Sequence, residues 1–416
     1  MKDQSFTLTT LARKITREDV FKDNSLFIDS IRKGHIQQAF DITERLFHPP
    51  LNIDTIKLGN KVGYKLKNLS DKLVLRRSLE NLKTSTQISM KHRNTLGHEI
   101  ISYLKEGTKY RVYKLDISSF FEKIDINVLN ESFMQIDGLS IQTKHLLNSF
   151  FESFKNQYGS VGIPRGIEIS SFASELIMQD FDRSVKNHNE VFYYSRFVDD
   201  ILIITSSNEE QKPFLRWLKT ILPKGLKFNH NKQNVFSVGN RSQQTPPPHE
   251  GKVDVEFNYL GYRFSIIDPL VKPKKGIYRN IKVNLSSVKI KKIKTRISRS
   301  IYSYQKNNDF DLLYDRLFFL TSNRNLLNKK SSKIVPTGIY YNYPLLSYDS
   351  DSLKDLDNFL TTSIKSNHGR LGKIMLGKLS KHQCKTLLKL SFKQGFKKRV
   401  FKTFSPQRLK EISTIW

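Results

Sequence analysis

"YYSRFVDDILIIT", residues 193–205, sets two adjacent carboxylates, Asp199 and Asp200, between two runs of aromatic and β-branched residues. The runs read as the arms of a hairpin with the acids at its tip, since such side chains favour strands and a turn accepts Asp. A tip needs polar residues in any case, so the pair alone fits an ordinary turn. A third carboxylate changes its meaning. "YRVYKLDISSFF", residues 110–121, alternates in character and reads as a strand ending at Asp116. Where the two strands pair, three acids from distant parts of the chain meet. Such a cluster repels itself unless cations lie among the oxygens, and carboxylate oxygens are what Mg2+ accepts, together with waters and substrate phosphates. Two ions about 3.5–4 Å apart stabilise the attacking and leaving oxygens of an in-line phosphoryl displacement. Asp116, Asp199 and Asp200 are the candidate ligands for such a pair.

The rest of the composition points to a polyanionic partner. The 416 residues hold 70 Lys and Arg against 39 Asp and Glu, a formal charge of +31. Self-repulsion on that scale costs stability unless an anion answers it. From residue 271 onward there are 32 Lys and Arg against 8 acids, a net +24, which leaves +7 for the first 270 residues. The anion-binding face is therefore expected mainly in the C-terminal third. A lone cysteine, Cys384, can form no intramolecular disulfide and no zinc quartet, which fits a reducing cytoplasm. The opening "MKDQSFTLTTLARKITRED" has the Ser, Thr and basic residues of a transit peptide, but Asp3, Glu18 and Asp19 argue against one. Apolar stretches such as "ILII", residues 201–204, fall far short of the ~20 residues needed to span a bilayer. A cytoplasmic protein with no membrane partner is expected.

Periodicity gives an α+β chain. "TRED", residues 16–19, has the form of a helix-capping arrangement, and "SLFIDSIRKGHIQQAFDITERLF", residues 25–47, carries apolar residues at helical spacing until "HPPL" stops it. "KVGYKLKNL", from residue 61, suits a strand and "DKLVLRRSLENL", from 71, a helix. "IQTKHLLNSFFESF", "EISSFASELIMQDFDRSV" and "EEQKPFLRWLKTIL" read as helices around the acidic hairpin. "GNRSQQTPPPHEGK", residues 239–252, reads as an exposed loop inside a sheet domain, because strand-like "VEFNYLGYRFSII" resumes at once. Beyond about residue 283 the chain is expected to be helical and basic.

These strings, in this order, resemble the reverse transcriptases. "LDISSFF" resembles their motif A, "GIPRGIEISSFASELIM" motif B, "FVDD" motif C, "LKFNHNK" motif D and "FNYLGYRF" motif E, all between residues 115 and 264. "YKLKNLSDKLVLRRSLENL" looks like the fingers segment that precedes motif A. The resemblance implies a right-hand polymerase: a helical N-terminal extension over 1–56, fingers and an antiparallel palm over 57–282 with a flexible insertion at 239–252, and a basic helical thumb and RNA-binding region over 283–416.

Carried over position by position, it implies that Asp116 and Asp199, with the main chain of Ile117, hold two Mg2+ ions and that Asp200 supports them. Main-chain N–H groups of Ile117, Ser118, Ser119 and Phe120 would meet the triphosphate, as amide donors can without side-chain charge. Phe121 occupies the position of the gate that blocks a ribose 2′-OH, or simply packs in the core. Lys232 matches a lysine that protonates departing pyrophosphate, or is a surface lysine. Lys65 and Lys67 would clamp the triphosphate from the fingers, and Arg165 and Gly166 would border the nucleotide. Phe197, Gly261 and Tyr262 would approach primer or template. Lys291, Lys292 and Arg296 in "SSVKIKKIKTRISRSIYSYQ", residues 286–305, would track duplex phosphates while Ile and Tyr pack inward. "GFKKRVFKTF", residues 395–404, interleaves aromatics with cations, as suits an RNA strand or an oligomer contact.

Three positions depart from the family pattern: Arg165 stands for a neutral amide, Phe172 for a proline and Phe197 for a tyrosine. The compact length, the absence of a nuclease-like acidic quartet after the core, the "IPRG" string and the opening "DQSF" resemble most the bacterial antiphage defence-associated reverse transcriptases, in particular the first polymerase of the class three system. That resemblance implies a structured noncoding RNA as template, dNTPs as substrates, repetitive DNA as product, a second reverse transcriptase subunit and a higher-order oligomer. Template-independent or protein-primed DNA synthesis, an RNA polymerase and an inactive nucleic-acid scaffold remain open on the residues alone.

Overall fold

Residues 3–59, 61–86, 88–159, 162–240, 253–267, 278–327 and 333–416 are described by a computed structural model. Most of the expected loop at 239–252 thus lies outside the described residues. The chain forms two compact units, one of residues 1–92 with 110–237 and the other of 93–109 with 238–416.

In the first unit, β1 (Ile53–Leu58) and β2 (Lys61–Leu66) form an antiparallel hairpin whose register pairs Asp54 with Lys65. A second sheet is built from β3 (Tyr110–Asp116), β4 (Val191–Phe197), β5 (Asp200–Thr205) and β6 (Asn234–Val238), in the order β4-β5-β3-β6. β5 sits between two neighbours and Ile201 to Thr205 are all buried, which is why it reads as an unbroken apolar run instead of an alternation. Against this sheet and its surroundings packs a core fed by two long helices, Leu69–Ser85 and Ile141–Tyr158. The first buries Leu73, Val74 and Leu82 and the second Leu146, Phe150 and Phe151. The capping arrangement expected at Thr16 forms a reciprocal box with Asp19. The stretch expected as one helix from residue 168 is two, Glu168–Ile177 and Gln179–Lys186, breaking at Met178.

The second unit carries an antiparallel sheet of β7 (Val253–Tyr259), β8 (Tyr262–Ile267) and β9 (Asn280–Leu285), with β8 central. The helix Ser287–Asn307 follows at once and buries Ile293, Ile297, Ile301 and Tyr304 on one face, leaving its cations on the other. The segment expected to be purely helical also contains a hairpin, β10 (Asn323–Leu327) with β11 (Ile334–Gly338). Gly338, at φ 131°, lies so close to Ser322 and Asn323 that any Cβ there would sit 2.4 Å from the Ser322 carbonyl oxygen. Asp357, from the helix Asp351–Lys365, accepts the Phe392 and Lys393 amides and so caps the helix Phe392–Lys397. Among the described residues no helix is long and apolar enough to cross a membrane.

Candidate active site

The three acids meet because of strand register. Asp116, the last residue of β3, is paired with Asp200, the first of β5. Asp199 occupies the β4–β5 turn beside Val198, which adopts a left-handed φ of 62°. The Ile117 amide donates to the Asp199 carbonyl at 3.0 Å, which ties the turn to the end of β3. Beneath the turn, Arg196 is almost wholly buried, its side chain 3% exposed. Its guanidinium donates to both carboxylates of Glu175 and Asp182 at 2.7–3.0 Å and to the Val198 carbonyl at 3.1 Å. Buried charge survives only when paired and hydrogen-bonded in this way.

Asp116 is 5% exposed, and both its oxygens are engaged, Oδ1 by Lys232 Nζ at 3.1 Å and Oδ2 by Asn229 Nδ2 at 3.2 Å. The Asn229 amide also donates to the Asp116 carbonyl at 2.7 Å. Burial pushes the Asp200 carboxyl above its ordinary range; Lys114 opposes this, while Asp199 and Asp116 add to it. Its bond to Asp116 pushes the Lys232 ammonium upward, and the charges of all three acids assist. Among the described residues no three His, Cys, Asp or Glu side chains are arranged to hold a metal ion. Lys232 and Asn229 each occupy one Asp116 oxygen, which leaves further lone pairs on both. The chemistry of the donor set nevertheless fits a cation: hard oxygen donors, partly buried, with an excess of negative charge that one ammonium does not balance.

The Ile117 amide is spent on Asp199, and the Ser118 amide donates to the Lys227 carbonyl at 2.9 Å. Ser119 lies in the left-handed region at φ 47°, and Phe120 begins a short helix. Phe121 is 6% exposed. The guanidinium of Arg165 lies 4.7 Å from the centre of its ring and grips Glu122 with two nitrogens. Gly166, at φ 100°, leaves no room for a side chain, since a Cβ would stand 2.9 Å from the Tyr64 carbonyl oxygen. Lys65 is exposed on β2, whereas Lys67 pairs with Asp54 at 2.9 Å. Phe197, at the end of β4, is 38% exposed.

The remaining expected residues belong to the second unit. Gly261 turns the chain between β7 and β8 at φ 80°. Tyr262 is fully buried, its ring 5.3 Å from the Arg93 guanidinium. Lys291 and Lys292 are exposed on the helix Ser287–Asn307, and Arg296 lies 4.9 Å over the Trp416 ring. Burial, together with Arg93, Lys292 and Arg296, pushes the Lys289 ammonium below its ordinary value. Sequence reasoning missed Asn229, Glu122, Arg196 and Arg93. Only Asn229 left a signal, as a polar residue within the string already matched to motif D.

Residues 60–264 match the family described as reverse transcriptase (RNA-dependent DNA polymerase), a stretch that contains Asp116, Asp199, Asp200 and Lys232. Over those residues, just under half of its length, the chain is similar to a reverse transcriptase domain, and its mixed helix and antiparallel-sheet architecture is that of a right-hand polymerase. The structure is also similar to that of an apo telomerase from Candida tropicalis truncated from its C-terminal domain, at 15% identity and a TM-score of 0.35. The similarity covers 52% of this chain and 53% of that one, about half of its length, and supports no conclusion by itself. No curated protein matches the chain.

Proposed function

From the reverse transcriptase domain at residues 60–264 we propose that this protein copies an associated noncoding RNA into DNA, by phosphoryl transfer with two Mg2+ ions, as part of bacterial antiphage defence. The observation that carries the reading is the pairing of Asp116 with Asp200, with Asp199 in the adjoining turn and Lys232 on Asp116. Asp116 and Asp199, with the Ile117 main chain, hold the metal, and Asp200 supports them. When bound, the ions neutralise the attacking and leaving oxygens of the displacement. Asn229 orients Asp116 through its main-chain and side-chain bonds. Lys232 stands where a proton can pass to the leaving pyrophosphate. Phe121, closed in by Arg165, limits the sugar at its 2′ position, and Lys65 attracts the triphosphate from the β1–β2 hairpin. The basic helix from Ser287 tracks the phosphates of the template–product duplex, in keeping with the +24 charge of the C-terminal third. A second reverse transcriptase subunit and a higher-order oligomer complete the assembly.

The protein purified with its RNA is expected to incorporate dNTPs, and Asp199→Asn to abolish incorporation while leaving the fold intact. Changing the template sequence is expected to change the product sequence correspondingly. DNA whose sequence ignores the template, or that forms after the RNA is digested, would replace this reading with template-independent or protein-primed synthesis.

A further inference from the structure

Next to the gate residue lies a contact that the chemistry above does not use. Arg165 donates from Nε to Glu122 at 2.9 Å and from a terminal nitrogen to the other Glu122 oxygen at 3.2 Å, while its guanidinium carbon stands 4.7 Å from the Phe121 ring centre. We propose that Glu122 is a positioning residue for the sugar gate: it holds Arg165 against Phe121, so that ring and cation act as one body at the 2′ position. This inference rests on the reading of the domain as a DNA polymerase gated at Phe121.

The backbone on both sides is already fixed, which leaves the side-chain contact to decide the gate's shape. The Ile163 amide donates to the Phe121 carbonyl at 2.9 Å, and the Tyr64 amide to the Arg165 carbonyl at 2.7 Å. Gly162 packs so tightly that a Cβ would stand 2.4 Å from the Glu122 main chain. Phe120 meets the Phe121 ring edge-on at 5.5 Å. The long Arg165 side chain is held only by the contacts it makes. Its planar fork suits phosphate as well as carboxylate, and without Glu122 the incoming triphosphate is its nearest strong partner. Stability gives little reason for the pair, because its side chains are 21% and 41% exposed and an ion pair so placed contributes little to folding. Its two-nitrogen grip instead sets direction, and the direction is across the ring face, within the ~6 Å range of a cation–π contact.

The test is primer extension on an RNA template, comparing kcat/KM for a dNTP and the rNTP of the same base. Glu122→Gln is expected to reduce the preference for the dNTP by about tenfold, as befits loss of a charge-assisted hydrogen-bond pair. The change should come through KM for the rNTP, with the melting temperature held, and Glu122→Asp should fall between. Phe121→Ala should also relax the preference, and adding Glu122→Gln to it should produce little further change, because both act on one body. If Glu122→Gln keeps the wild-type preference, or if the two effects multiply in the double variant, the proposal fails while the gate at Phe121 stands. Absence of dNTP incorporation by the wild-type protein would overturn the polymerase reading, and this inference with it.

Discussion

Replacing Arg196 by Met removes the guanidinium that lies beneath the acidic turn. The Met side chain fills much of the same space but donates nothing, so Glu175 loses both guanidinium bonds, Asp182 keeps only the Tyr194 hydroxyl, and the Val198 carbonyl loses a donor. Breaking a buried ion pair from one side costs about 3–5 kcal/mol. Here the two carboxylates are 16% and 20% exposed, so water relieves part of the penalty and about 3 kcal/mol is the fitting figure. For a unit of this size each kcal/mol moves the midpoint by about 2–4 °C, which gives a fall of roughly 6–12 °C in thermal unfolding. The effect on catalysis should be larger than the loss of folded protein explains, because the same guanidinium bonds the carbonyl of Val198, the left-handed residue next to Asp199. Denaturant melts and dNTP incorporation at a temperature where the variant is fully folded separate the two effects. A midpoint within 2 °C of wild type, or full incorporation by the folded variant, would refute the claim that Arg196 shapes the turn. Replacing Arg196, Glu175 and Asp182 together with apolar residues should restore much of the stability, since no charge is then left buried alone.

Burial pushes the Asp71 carboxyl up to about 6. A carboxyl raised in this way favours the folded state below its ordinary value, and that contribution is lost as pH rises through 6, so stability should decline between about pH 4 and 6. Asp71→Asn should remove the slope and be the more stable by at most about 3 kcal/mol at pH 8, with the two proteins equal near pH 3.5; melts across pH check it. Gly162→Ala sets a methyl 2.4 Å from the Glu122 main chain and should cost about 1–3 kcal/mol, read by urea denaturation. Raising salt from 50 to 200 mM should weaken RNA–DNA duplex binding by about 10³–10⁵ for six to ten phosphate contacts, and Lys291→Ala with Lys292→Ala should lower the salt slope by about one per lysine.

Where the sequence announced its own structure, the reason was local. The β5 run, the alternation in β3 and the periodic helices each carry their signal within a dozen residues, so the strands that place Asp116 and Asp200 could be read directly. Whether they paired was a matter of tertiary register, yet the acids at both strand ends made that register the only chemically sensible one. Elsewhere the deciding contacts join positions far apart, and nothing local encodes them. Arg165 reads as a lone cation until Glu122, 43 residues away, closes on it. Arg196 reads as one more basic residue in a basic chain, though it is among the most deeply buried charges. Tyr262 reads as an aromatic beside a turn glycine, whereas Arg93, Phe264 and Tyr343 pack around its ring. The amides of Ile117 and Ser118 likewise find acceptors, Asp199 and Lys227, in distant strings that no local pattern reveals.

Residues 93–109 belong with 238–416, and the first unit is completed by the 128 residues between them. Neither unit can be excised by a single cut, and a fragment spanning only 238–416 would lack the helix Arg93–Leu104, whose Gly97 lies against Leu345. During synthesis that helix leaves the ribosome about 6–25 s before its partners begin to appear, at 5–20 residues per second. Through that interval Leu96, Ile100 and Leu104, buried once the chain is folded, have no finished surface to rest on.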